Sequence, residues 1–184
     1  MVLTLTAGAV GFGGMFAVYT YISPTLTELT GLVITTVPWV LAAYGIGMTL
    51  GSLLAGPLID RSAEGASVDA LALSAVAPAF IGLFVQLPVA AVLGVVWIGV
   101  MGSIFNTSLQ VCLLREAKDA PSLTAAMNHA AYQFANALGA FLGGSVISAG
   151  WGYRAPAWIG VGPALAGLLV LATAVLPRRA TRAA

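Results

Sequence analysis

The seven basic and six acidic side chains of this 184-residue chain stand in a few clusters, with long charge-free stretches between them. A soluble domain is roughly a quarter charged. This chain is 7% charged and 60% hydrophobic, and its mean hydropathy is +1.01. So apolar a chain cannot keep its surface in water, and most of that surface must meet lipid. The composition therefore specifies an integral membrane protein.

The charges divide the chain. Crossing a bilayer takes about 20 mostly apolar residues in a helix. Residues 1–27 and 29–59 are charge-free, and 70–114 is long enough for two crossings with a hairpin at Gln86-Leu87-Pro88. Residues 120–153 and 155–177 complete the set. Strands of a membrane barrel would alternate apolar and polar residues, which these runs do not. The expected fold is all-α, a single domain over 1–184 with spans near 2–23, 34–58, 70–86, 89–113, 122–148 and 155–176.

Orientation follows from the basic residues. Arg61, Arg115, Lys118, Arg178, Arg179 and Arg182 fall on one side of a six-span arrangement, and Arg154 alone on the other. The positive-inside rule makes the first side cytoplasmic and puts both termini there, in a multi-pass protein of the cell (inner or plasma) membrane. Tyr19, Tyr21, Trp39, Trp151, Tyr153 and Trp158 fall near outer span ends, where an interfacial belt is expected. Met1-Val2-Leu3-Thr4 lacks the basic segment of a secretory signal, so the first run reads as a span without a leader. The net charge of +1 points to no nucleic-acid partner. One Cys and one His form no metal constellation, no cofactor is implied, and Cys112 reads as a packing residue.

Small residues recur four apart: Gly47 and Gly51, then Ala135, Gly139 and Gly143. Helices in lipid associate through such close-packing stripes, which can also serve as sliding surfaces. Polar residues cluster in two places. Asn106 and Gln110 stand four apart, with Ser103 and Thr107 alongside. His129, Gln133 and Asn136 share one helical face by their i, i+4, i+7 spacing, flanked by Asn128 and Tyr132. Both groups fall in the cytoplasmic half of the membrane. They read either as the wall of an inner vestibule or as interhelical hydrogen bonds worth about 0.6–2 kcal/mol each.

Three segments carry a family resemblance. Gly56-Pro57-Leu58-Ile59-Asp60-Arg61 resembles the Gly-x-x-x-Asp-Arg loop of the major facilitator superfamily. The run from Asn136 to Gly144, followed by Gly150-Trp151-Gly152-Tyr153-Arg154-Ala155-Pro156, is similar to the eleventh-to-twelfth helix segment of arabinose-efflux-permease-like drug:proton antiporters. Tyr19-Thr20-Tyr21-Ile22-Ser23-Pro24 looks like the outer end of their seventh helix. After Asp-Arg this chain continues Ser62-Ala63-Glu64-Gly65 in place of the family's Gly and further basic residues. The resemblance implies the C-terminal six-helix half of a transporter, a 3+3 inverted repeat. By the same resemblance, Gly56, Asp60 and Arg61 form a gating loop. The substrate is a small molecule moved outward by alternating access, with proton coupling by analogy. The family's antiporter motif and its proton-carrying acid belong to the other half, for which this sequence has no counterpart.

Two further classes compete with a transporter. An intramembrane serine protease requires a Gly-x-Ser-Gly setting; none occurs, and Gly65-Ala66-Ser67 is followed by Val68, so no enzyme is expected. The other is a non-transporting remnant or an interaction subunit that needs a separate N-terminal half. The chain is expected to act as a homodimer or beside such a half, with Asp60 meeting the helix start at Pro121-Ser122-Leu123 of a second copy.

Overall fold

The computed structural model describes residues 2–117 and 120–183; for residues 2–5, 7 and 172–183 it describes the backbone alone. Lys118 and the side chains of Met1-Val2-Leu3-Thr4, Arg178, Arg179 and Arg182 lie outside the described set. Helices α1 (Val2–Thr20), α2 (Ile22–Glu28), α3 (Val37–Phe84), α4 (Pro88–Glu116), α5 (Pro121–Ser148) and α6 (Ala155–Ala183) account for nearly all of it. One 3-10 turn, Ile34–Thr36, precedes α3, and no strand occurs among the described residues.

Local chemistry explains the breaks. Pro24 has no N–H to offer the Thr20 carbonyl, and the first helix stops at Tyr21, where ψ is 19°. The chain resumes as α2 instead of continuing to residue 23. The end of α5 is a Schellman turn: the Trp151 N–H reaches the Val146 carbonyl at 3.1 Å and the Gly150 N–H the Ile147 carbonyl at 3.0 Å. Gly150 stands at φ +83°, a left-handed conformation that a side chain would strain.

The charged segment after Asp60 is shorter than a loop. Charge clusters suggested a connection from 59 to 70, whereas the helix runs through Arg61, breaks at Ser62 alone (φ −167°, ψ 109°), and resumes at 63. The Ser62 hydroxyl accepts the Gly65 N–H at 2.9 Å. It thereby caps the new helix at its third residue, and Glu64 in that first turn faces the positive end of the helix dipole. A single capped residue does what a charged loop was expected to do. Ser62→Ala is expected to cost about 1 kcal/mol, a fall of about 2–4 °C in thermal midpoint. Ser62→Asp should retain the wild-type midpoint.

Close contacts fix the helix directions. Gly47 meets Val96 and Gly51 meets Val100, so the first arm of α3 (37–61) runs parallel to α4. Gly94 lies on Ile81 and the Trp97 Nε1–H donates to the Leu73 carbonyl at 3.0 Å, so the second arm (63–84) runs antiparallel to α4. The chain therefore reverses at Ser62. Helix α1 meets α5 in parallel, Gly13 and Ala17 against Gly139 and Gly143; it crosses α6 at Gly14 and Gly160, and the bond from Thr25 to Tyr153 beyond its end makes that crossing antiparallel. Successive long passes alternate in direction.

Small residues set the spacing. A Cβ on Gly139 would fall 2.8 Å from the Ala17 backbone nitrogen and 2.9 Å from the Phe16 Cβ. Tyr21 then donates its hydroxyl to the Ala140 carbonyl at 2.9 Å. Tyr21 thus locks α1 to α5, and Tyr19 stacks on Tyr44 at 4.5 Å; neither is simply a belt residue. Trp39, Trp151 and Trp158 are exposed. Phe105, Leu71 and Leu113 are fully buried in the core.

By length and composition, two stretches of helix among the described residues could each cross a membrane, Ile34–Phe84 and Pro88–Glu116; Gly8–Thr20 and Ala155–Leu171 are shorter apolar helices. The first arm of α3 is strongly one-sided. Val40, Gly47, Gly51, Ala55 and Ile59 are buried, while Ile46, Leu50, Leu53 and Leu54 are exposed. An apolar face of this extent is meant for lipid or a partner.

Candidate functional site

The polar and aromatic side chains converge at a cleft built by α1, the first arm of α3, α4 and α5. Helix α1 supplies Phe12, Phe16 and Tyr19, which share a face by their i, i+4, i+7 spacing; α3 supplies Tyr44, α4 Asn106 and α5 Tyr132. Phe12 lies 4.3 Å from Tyr132 and 5.1 Å from Phe105, centroid to centroid, and Phe16 meets Tyr132 edge-on at 5.2 Å. These are the offset and edge-to-face arrangements that the ring quadrupoles favour.

Ser103 and Gly102 form the α4 floor beside Asn106. The half-buried Asn106 amide makes no hydrogen bond within the chain among the described residues, so its donors and acceptor remain available to a ligand or to water. The enclosed volume is about 30 Å³, room for one or two water molecules. Among the described residues, no Asp, Glu, Lys, Arg or His lines it. A larger hollow of about 470 Å³ between α4 and the second arm of α3 is lined by apolar residues, Phe80, Leu93 and Trp97 among them. It lacks the convergent polar groups that orient a ligand.

Of the residues singled out in the sequence, Asn106 and Tyr132 come together at the cleft. Gln110 is half-buried one turn further along α4, and Asn136 half-buried one turn past Tyr132; neither lines it. His129 and Gln133 are exposed on α5, while their neighbour Asn128 is buried. The glycine stripe explains this. Ala135, Gly139 and Gly143 turn toward α1, which rotates the polar stripe to the flank of α5, beside the cleft.

Gly56 stands in open space, and Asp60 and Arg61 are exposed at the end of the first arm, with no ion-pair partner among the described residues. Cys112 is buried in the apolar core. Sequence reading passed over Phe12, Phe16 and Tyr44. The spacing of Phe12, Phe16 and Tyr19 was a legible signal for one aromatic face. Nothing in the sequence announced that Tyr44 would meet it.

Residues 4–184 match the family model described as Major Facilitator Superfamily. The chain belongs to this superfamily. Its members that match here are transporters and not enzymes, and they place the chain in a family of membrane proteins. The chain is 37% identical over 149 residues to the inner membrane transport protein YdhP of Escherichia coli K12, covering 81% of this chain and 38% of YdhP. It is 31% identical over 180 residues to the MFS-type transporter YtbD of Bacillus subtilis, 96% of this chain and 44% of YtbD. The purine ribonucleoside efflux pump NepI of Salmonella enteritidis is 30% identical over 168 residues, 90% of this chain and 40% of NepI. The chain therefore spans about two fifths of the length of these relatives.

Proposed function

We propose that this chain is one six-span half of a small-molecule efflux transporter, with both termini cytoplasmic and the spans arranged as a 3+3 inverted repeat. The cleft is this half's share of the translocation path, and transport proceeds by alternating access. The observation that carries the reading is the convergence of four helices on one uncharged aromatic cleft, in a chain that matches a transporter family over 4–184. The alternating helix directions support the six passes. The similarity to YdhP supports an inner-membrane location, and the similarity to a purine ribonucleoside efflux pump supports outward transport.

A volume of about 30 Å³ is far below the roughly 300–1,000 Å³ of a ligand pocket. This supports a second half, either another copy of this chain or a separate N-terminal half, as the opposite wall. The exposed residues of α5, His129 and Gln133 among them, and the apolar face of the first α3 arm form the surface offered to it. Gln110 and Asn136 extend the polar wall, and Gly56, Asp60 and Arg61, on the last turns of the first α3 arm before the reversal at Ser62, form the cytoplasmic gating segment at its rim. The stripes at Gly47 and Gly51 and at Gly139 and Gly143 are the packing seams on which this half moves as a unit.

The fraction of its relatives' length that the chain spans also favours a second reading, an interaction subunit or remnant that moves nothing alone. Membrane vesicles carrying the chain, with and without the N-terminal half of a relative, separate the two. Solute accumulation against its gradient in either preparation is the expected result. Its absence from both, with the protein folded and inserted, defeats the transport reading.

A further inference from the structure

The chemistry of the cleft narrows its ligand, on the reading that the cleft is a substrate site. Tyr19 of α1 and Tyr44 of α3 stack with centroids 4.5 Å apart and planes 30° from parallel, at the edge of the cleft that Asn106 and Tyr132 also line. Entry of a bulky ligand would require this pair to separate fully. A planar ring needs only about 3.5 Å more, the thickness of one aromatic layer at van der Waals contact, and it restores on each of its faces the stacking that the two tyrosines lose. Tyr19 and Tyr44 are both half-buried, so their side chains can part by rotation while the first arm of α3 stays seated on α4 through Gly47, Gly51 and Gly99.

Two further observations restrict the ligand. Among the described residues the lining holds no Asp, Glu, Lys, Arg or His; an anion would leave water with no opposite charge to meet it, and a cation would find ring faces but no carboxylate. Asn106 offers an amide whose donor and acceptor sit side by side without a partner in the chain. Such an amide pairs with a ring edge that carries an adjacent acceptor and donor. We propose that the cleft binds a neutral, planar nitrogen heterocycle of the nucleobase or nucleoside class, held between Tyr19 and Tyr44 and read along its edge by Asn106.

Adenosine is the probe, with tetraphenylphosphonium as a bulky cation and ribose as the sugar without a ring. Binding is measured by calorimetry on the full chain in lipid nanodiscs, with circular dichroism confirming that each variant is folded. Adenosine is expected to bind and ribose not. Asn106→Ala should weaken adenosine about tenfold or more, and Tyr44→Leu about tenfold, while Tyr44→Phe, which keeps the ring face, should bind as the wild type does. No adenosine binding by the folded wild-type chain, either alone or co-reconstituted with the N-terminal half of a relative, tighter binding of tetraphenylphosphonium, or indifference to both Asn106→Ala and Tyr44→Leu would overturn the proposal. Because the readout is binding, the outcomes separate. Adenosine bound but never moved defeats the transport reading alone; another solute moved, with adenosine neither bound nor competing, defeats this one alone.

Discussion

Gly14→Leu is expected to lower the thermal midpoint of the detergent-solubilised protein by about 6–12 °C. A Cβ at Gly14 would run into the Gly160 carbonyl oxygen and lie 3.1 Å from the carbonyl carbon, with the Ala164 Cβ at 3.2 Å. The contact is reciprocal, since a Cβ at Gly160 would meet the Gly14 carbonyl. The obstacles are backbone atoms, which no rotamer change can move aside, so a side chain there must push α1 and α6 apart. Overpacking of this kind costs typically about 1–3 kcal/mol, and the upper end of that range gives the shift stated. Gly162→Leu on the same helix is the control: nothing lies within 4 Å of that position, and its midpoint should match the wild type. An unchanged midpoint in Gly14→Leu would mean that α1 and α6 do not cross here.

An all-or-none result is expected for topology. A reporter active only outside the cytoplasm should be silent when fused after Ala184 and active when placed within Gly150–Tyr153. Two independent features of the chain lead to this result. On the proposed six-pass arrangement, basic residues are concentrated on one side, where the positive-inside rule puts the cytoplasm. The contacts of α1 with α5 and α6 bring Thr25 of α2 beside Tyr153, with a 3.3 Å hydrogen bond from its hydroxyl to the Tyr153 carbonyl. The end of the first pass and the α5–α6 turn therefore occupy the same end of the bundle, opposite the reversal at Ser62. An active fusion after Ala184 would invert the protein and remove the cytoplasmic gating role proposed for Asp60 and Arg61.

Helical class, the membrane and the family were legible in the sequence because they depend on sums and on short motifs. Hydropathy accumulates along the chain whatever the tertiary arrangement, and the Gly-Pro-Leu-Ile-Asp-Arg run is contiguous. The small-residue stripes were legible as well, since a four-residue repeat marks one helical face before any partner is known. What those stripes touch required the fold. Gly139 meets α1, Gly47 and Gly51 meet α4, and Gly160 and Ala164 of α6 meet Gly14.

The connection at Ser62 misled for a physical reason. Clustered charge is the mark of a loop, but charged side chains are also tolerated at helix ends, and one serine capping Gly65 reverses the chain without a loop. The cleft divides in the same way. Asn106 and Tyr132 could be picked out as polar groups inside apolar spans. Tyr44, however, reaches Tyr19 only because its helix packs on α4 through Gly47 and Gly51. The rotation of α5 that leaves His129 and Gln133 at the flank is set by the fit of Gly139 and Gly143 against α1. Helical periodicity fixes which residues share a face; only the packing of one helix on another decides where that face points.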